Sequence, residues 1–153
     1  MYKRQREALR IELQHLQKTE GSTTLFVTHD QVEALTMADR IAVLNQGRIV
    51  QIGTPDDIYD RPVTTFVAQL VGIPRINLLP AVRDNGTLLV EESALRLALP
   101  AEADIPPCFL LGIRPEDVRL DAGGEQRGEI VLTEPLGVET IIHIQSGKQT
   151  VLS

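Results

Sequence analysis

The spacing of apolar positions divides the chain into two parts. In the first, Leu9, Leu13 and Leu16 recur at i, i+4 and i+7, which predicts a helix from about Tyr2 to Lys18 with leucine along one face. Gly21 stands where such a helix stops. Thr23 to Thr28 (TTLFVT) is a continuous β-branched and apolar run, and predicts a buried strand. Asp30 is placed to cap a helix over Gln31 to Met37, with Glu33 at the third position as in a capping box. Ile41 to Leu44 and Arg48 to Ile52 read as short strands joined by a tight hairpin at Asn45-Gln46-Gly47. Thr54-Pro55-Asp56-Asp57 combines an N-cap, a proline at the first helical position and two acids at the positive helix end. That helix stops before Arg61-Pro62. A second short helix covers about Thr65 to Val71, and Gly72 and Pro74 end it.

Beyond Pro74 the pattern shortens to β runs. Leu78-Leu79, Leu88 to Val90, Leu95 to Leu99, Phe109 to Ile113, Glu129 to Leu132 and Val138 to Ile144 are the runs. Asn85-Gly86, Pro106-Pro107, Gly123-Gly124 and Ser146-Gly147 interrupt them. This spacing predicts a small barrel or sandwich. The change of character sets a domain boundary near Gly72 to Arg75, giving an α/β part over 1–73 and a mostly β part over 74–153. There is no internal repeat and no low-complexity tract.

Composition narrows the picture. The chain has 153 residues, of which 42% are hydrophobic and 3% aromatic, with no tryptophan. A core must therefore be aliphatic, and a stacking platform for single-stranded nucleic acid is not expected. The net charge of -6 argues against a phosphate-backbone binder. Cys108 stands alone, so neither an internal disulfide nor a cysteine-rich zinc site is available. It is expected to be a small, half-buried apolar residue, in keeping with a reducing cytoplasm. No stretch has the apolar length to cross a bilayer. Met1 to Glu7 is charged and leads into no apolar region, unlike a secretory signal. It reads as the start of a helix with nothing before it, as expected of a fragment.

For chemistry, the missing pieces come first. No G-x-x-x-x-G-K-S/T occurs: Gly147-Lys148 is followed by Gln149, and Ile142 stands where the first glycine belongs. The sequence thus lacks the nest of backbone N–H groups that holds phosphates. It also has no glycine-rich dinucleotide loop and no H-E-x-x-H pair. One candidate remains, His29, at the end of the predicted strand and the start of the next helix. Ligand-contacting groups gather at the carboxyl ends of strands in α/β sheets, and imidazole can bond a ligand oxygen. Position by itself favours a structural histidine, since it shows no perturbing partner. The other charged groups have plain readings. Arg114-Pro115-Glu116-Asp117 is a turn with a short helix start, although an anion or regulatory partner is conceivable there. Asp56-Asp57 answers the helix dipole rather than a metal. His15 lies on a solvated helix face, His143 has no role, and Glu12, Glu20 and the arginines of the first helix are surface charge. No metal ligand set is expected.

The full string around His29 is more specific. Val27-Thr28-His29-Asp30-Gln31-Val32-Glu33-Ala34 is followed by Ala38-Asp39-Arg40-Ile41, then Asn45-Gln46-Gly47-Arg48-Ile49, then Gln51-Ile52-Gly53-Thr54-Pro55. In order and spacing these resemble the C-terminal half of an ABC-transporter nucleotide-binding domain. Arg61-Pro62, Phe66-Val67-Ala68 and Val71-Gly72 narrow the resemblance to importers of maltose, related sugars and sugar phosphates. Gly112-Ile113-Arg114-Pro115-Glu116-Asp117-Val118 looks like part of that subfamily's appended TOBE domain, an OB-like β module.

The resemblance implies that His29 matches the switch histidine, which contacts the γ-phosphate of ATP and helps to organise the attacking water. Asp30 and Gln31 follow it in the family as well, and are read here as capping and packing residues. The resemblance further implies ATP and Mg²⁺ as cofactors of a full-length parent, permease subunits as partners, a head-to-tail homodimer, and a cytoplasmic position at the inner face of the membrane. The family's phosphate loop, glutamine loop, signature motif and catalytic glutamate would all precede Met1. The chain by itself is therefore expected to hydrolyse no ATP and to bind no cofactor. The β module is expected to be incomplete, because Ser153 falls inside a β run. Either the chain is truncated or two copies complete each other. The rival reading is a stand-alone regulatory module whose β part recognises a small solute or a regulatory protein.

Overall fold

The computed structural model describes residues 2–99 and 104–153, with side chains from residue 8 onward. The chain forms two compact units, Met1–Val71 and Gly72–Ser153.

The first unit begins with helix α1 (Tyr2–Glu20) and continues with α2 (Gln31–Met37), the hairpin β1 (Ile41–Asn45) and β2 (Arg48–Gly53), α3 (Pro55–Asp60) and α4 (Thr65–Leu70). Gln46 and Gly47 connect the hairpin with φ of 49° and 75°. A two-residue turn with both φ values positive matches the twist of the flanking strands. Val43, Ile58, Val67 and Val71 form the core, and Leu35, Ile41, Val50 and Tyr59 pack around it. Ile58 is fully buried, which stabilises by about 1.5–3 kcal/mol relative to an exposed side chain. Thr54 caps α3 as the sequence predicts, and the cap is a reciprocal capping box: Thr54 Oγ1 accepts from the Asp57 N–H at 3.2 Å, and Asp57 Oδ2 accepts from the Thr54 N–H at 3.1 Å. Gly53 permits this tight entry, since a Cβ there would lie 2.7 Å from Asp57 Cβ. At the far end of α3, Gln51 donates to the carbonyls of Asp57 and Arg61 and accepts from the Val63 N–H, at 3.1, 3.1 and 2.9 Å. One side chain thus ties together the backbone at the helix end, adding a second bond to the Asp57 carbonyl, which also accepts from the Arg61 N–H.

One expectation for this unit fails. Residues 23–28 form no strand, and 23–27 are exposed, with Leu25 at 91% and Val27 at 87%. A strand needs a hydrogen-bonded neighbour, and β1 and β2 pair only with each other. The leucine face of α1 is also exposed: Leu9, Leu13 and Leu16 point to solvent, and the half-buried positions are Arg10, Gln14 and Gln17. Periodicity located the helix, but tertiary contacts chose its polar stripe as the inner face.

The second unit is almost entirely β. Strands β3 (Asn77–Asp84), β4 (Thr87–Val90), β5 (Arg96–Ala98) and β6 (Cys108–Ile113) form an antiparallel sheet in the order β5-β4-β3-β6. Strands β7 (Glu129–Pro135), β8 (Thr140–Ser146) and β9 (Gln149–Leu152) form a second, in chain order. Asn85 and Gly86 make the β3–β4 turn with φ of 44° and 82°. A short 3₁₀ turn covers Pro115–Asp117. Leu79 and Val90 of the first sheet meet Val151 of the second, with Leu95, Leu111, Ile113 and Val118 around them, so both sheets share one core. The β8–β9 turn sits on the turn after β4. Lys148 N–H donates to the Glu92 carbonyl at 2.7 Å, Lys148 Nζ reaches Glu92 Oε1 at 2.6 Å, and the Ala94 N–H donates to Ser146 Oγ at 3.3 Å.

Cys108 opens β6 on the outward side and is exposed, contrary to the half-buried position expected. Ile142 and Ser153 exchange both backbone hydrogen bonds, at 2.9 and 3.0 Å, so the ladder reaches the last residue. Strand β7 is an edge exposed along its whole length, Ile130, Val131 and Leu132 included.

Candidate functional site

His29 lies between the extended segment 22–28 and α2. Its neighbours on either side are fixed. Asp30 is the N-cap of α2: its Oδ1 accepts from the N–H groups of Val32 and Glu33 at 2.9 and 3.4 Å. Thr28 Oγ1 accepts from the Asp30 N–H at 3.0 Å and donates to Glu33 Oε2 at 2.6 Å. The backbone is therefore tied before and after residue 29, while the His29 side chain remains exposed.

Charge completes the arrangement. Glu33 is buried at 8%, and a buried carboxylate requires compensation. Arg10, on α1, supplies it. Its Nη2 lies 3.1 Å from Asp30 Oδ2 and 3.3 Å from Glu33 Oε1, and its Nε donates to the same Glu33 oxygen at 3.3 Å. One turn further along α1, Gln14 donates to the Thr36 carbonyl of α2 at 2.7 Å. Arg10 and Gln14 thus hold α2 near both of its ends. This corrects the expectation that the arginines of the first helix are surface charge, at least for Arg10; the side chains of Arg4 and Arg6 lie outside the described residues. No local pattern marks Arg10, because a polar stripe at i, i+4, i+7 is also what a solvated face looks like. The signal available was the pair of carboxylates at Asp30 and Glu33, which in a half-buried setting call for a cation.

The remaining singled-out residues lie apart from this cluster. His15 is exposed on α1, where Thr19 Oγ1 lies 3.4 Å from its Nδ1. His143 on β8 makes a 2.6 Å contact through Nε2 with Glu134 Oε1 on β7. Asp56 and Asp57 are in the first turn of α3. Arg114 is buried beside the 3₁₀ turn. Among the described residues no group of three or more His, Cys, Asp or Glu side chains could hold a metal ion.

A nucleoside triphosphate needs a nest of N–H groups for its phosphates and carboxylate or hydroxyl ligands for its Mg²⁺. The cluster at His29 offers one exposed imidazole and two carboxylates already engaged by Arg10. These residues do not by themselves fit the group.

Residues 111–153 match the TOBE domain family. Over 92% of its length the chain is 44% identical to the sn-glycerol-3-phosphate import ATP-binding protein UgpC of Ruegeria pomeroyi, covering 39% of that protein. Over 95% of its length it is 41% identical to the trehalose/maltose import ATP-binding protein MalK of Thermococcus litoralis, covering 43% of it. The UgpC protein of Cupriavidus necator is 40% identical over 96% of the chain and 44% of its own length. Over more than nine tenths of its length the chain is similar to members of the family of ATP-binding subunits of ABC importers. Within that family its relatives are the sugar and sugar-phosphate import proteins, and its β unit carries the TOBE domain. It spans about two fifths of the length of these curated relatives.

Proposed function

We propose that this chain supplies the switch-histidine end of the nucleotide-binding domain, together with part of the TOBE module, of a subunit that powers solute import. In the complete subunit His29 contacts the γ-phosphate of ATP. Mg²⁺ and the remaining phosphate contacts come from residues outside this sequence. The observation that carries this reading is the exposed His29 held between two anchored neighbours, within a chain more than 40% identical to import ATP-binding proteins over more than 90% of its length. The uncovered apolar side chains at Leu9, Leu13, Leu16, Leu25, Phe26 and Val27 support it. They form surface of the kind that the rest of a nucleotide-binding domain buries. The solute is a carbohydrate or a related compound, the partners are membrane-spanning permease subunits, and the complete subunit sits peripherally at the inner face of the membrane. No described helix is long and apolar enough to cross a membrane.

The purified chain is expected to show no Mg²⁺-dependent ATP hydrolysis. Grafted in place of the matching segment of the Thermococcus litoralis protein, it should support hydrolysis that His29→Ala abolishes. A graft that hydrolyses ATP equally well with His29→Ala would sink the reading. Heat on titrating the chain with sugars or sugar phosphates, with no activity in the graft, would favour the stand-alone regulatory module instead.

The β module of this chain also pairs with a second copy. Strand β7 supports this, with unpaired backbone groups along one edge and Ile130, Val131 and Leu132 exposed, since such an edge invites another strand. Sedimentation should show a dimer that Val131→Lys weakens. A monomer at high concentration would exclude the pairing.

A further inference from the structure

We infer that Arg10 is the positioning residue for His29. The inference rests on the reading of His29 given above, but its geometry can be tested without nucleotide.

His29 cannot be held through its own exposed side chain, so its direction depends on the backbone of residues 28–30. That backbone is held by a set of linked contacts. Thr28 bonds Glu33, Asp30 bonds Thr28 and caps α2, and Arg10 spans Asp30 and Glu33 from a different helix. Among the described side chains, Arg10 is the cation that bridges the Asp30 and Glu33 carboxylates. These lie within a single helical turn, so loss of the guanidinium strengthens their repulsion, which acts on the hydrogen bonds that fix residues 28 and 30. The planar guanidinium can engage two carboxylates at once, and lysine reproduces this only in part. The contacts are partly buried, with side-chain exposures of 21%, 23% and 11% for Arg10, Asp30 and Glu33. They are accordingly less screened than a surface pair.

Residues 8–20 of α1 carry little that anchors the helix through apolar contact, since its leucine stripe is exposed. Its half-buried side chains are Arg10, Gln14 and Gln17. Arg10 and Gln14 are spent on α2. The helix therefore acts as a brace for the His29 junction, and any displacement of α1 is passed to residue 29 through Arg10.

The chain has three histidines, so the His29 imidazole signal can be followed by NMR, with His143 in the other unit as an internal control. In the full chain, Arg10→Gln should move and broaden the His29 signal. It should also lower hydrogen-exchange protection of the Val32 and Glu33 amides by about tenfold, leaving His143 in place. Arg10→Lys should restore part of both. If Arg10 only contributed to stability, Arg10→Gln would lower the melting temperature and leave the His29 signal of the folded protein where it was; that result would overturn the inference. In the grafted ATPase, Arg10→Gln should lower kcat by about tenfold or more, because small misplacements of a catalytic group cost on this order, with KM for ATP nearly unchanged. An active, His29-dependent graft in which Arg10→Gln keeps full kcat would refute the positioning role and leave the proposed function standing. A graft indifferent to His29 would do the reverse, and the NMR result would still decide the geometry.

Discussion

Asn77 and Leu152, 75 positions apart, exchange two hydrogen bonds: the Leu152 N–H donates to Asn77 Oδ1 at 2.7 Å, and Asn77 Nδ2 donates to the Leu152 carbonyl at 3.0 Å. The same Nδ2 donates to the Ile113 carbonyl at 3.1 Å. Asn77 is 6% exposed, so it bonds β9 as a backbone group would. This side chain joins the two sheets at the point where their strands begin and end.

Asn77→Ala should therefore destabilise the second unit by about 2–3 kcal/mol, because it leaves a buried N–H and buried carbonyls without partners. Asn77→Asp should also destabilise, since a carboxylate accepts from Leu152 but cannot donate to either carbonyl. Urea unfolding followed by circular dichroism checks both. A loss for Asn77→Ala no larger than that of an exposed substitution would mean that the sheets are held by their apolar core alone.

Gly147 carries a second constraint on that unit. Its φ is +61°, and a Cβ there would run into the Glu92 carbonyl oxygen and lie 2.9 Å from Ser93 Cα. Gly147→Ala thus meets both backbone strain and a backbone clash, and should cost about 2–4 kcal/mol. Gly86, also at positive φ but with open space around it, is the control. Gly86→Ala should cost about 1–2 kcal/mol, from conformation alone. Equal losses at the two positions would show that the β8–β9 turn does not press on residues 92 and 93.

How much of this was legible in the sequence varied with the range of the interaction. The N-caps at Asp30 and Thr54 and the turns at Gln46-Gly47 and Asn85-Gly86 are decided within four residues, and the structure has them where the residues predict. Strand β9 was legible only as a β run around Ser153, without bounds, because Gln149–Leu152 offers too few residues to show a period; its extent is set by pairing with β8. The run 23–28 was misread because propensity does not supply a neighbour. The exposure of Leu9, Leu13 and Leu16 was not legible for a related reason: an apolar stripe shows which face can be buried, not whether a neighbour covers it. The string around His29 was legible as a motif. Arg10 was not, because its partners Asp30 and Glu33 are 20 and 23 positions away.

Gln51 tests how the first unit closes its α3 helix. Its amide bonds three backbone groups, one of which, the Asp57 carbonyl, also accepts from the Arg61 N–H. Gln51→Met keeps the length and removes the polar end. It should cost about 1–2 kcal/mol, a moderate loss because some of the freed groups can turn to water. Faster hydrogen exchange at the Val63 amide should accompany it, since that N–H loses its acceptor. Unchanged exchange at Val63 would mean that the Gln51 contact does not persist in solution.

The opposite end of α3 predicts a pH dependence. The Asp57 carboxyl is held below its ordinary value of 3.8, first by the hydrogen bond from the Thr54 N–H, then by the Thr54 hydroxyl, and further by the positive charges of Arg61 and Arg40. A carboxyl whose folded pKa is depressed binds protons less readily in the folded chain than in the unfolded one. Its contribution to stability is therefore present above pH 3.8 and is lost as the pH falls through the depressed folded value. Asp57→Asn keeps an acceptor for the Thr54 N–H but removes the charge. The variant should be less stable than the parent near neutral pH, and the difference should shrink as the pH drops below 3.8. Thermal unfolding of the two proteins across this range measures it. A difference that stays constant with pH would assign the effect of Asp57 to hydrogen-bond geometry rather than to its charge at the positive end of α3.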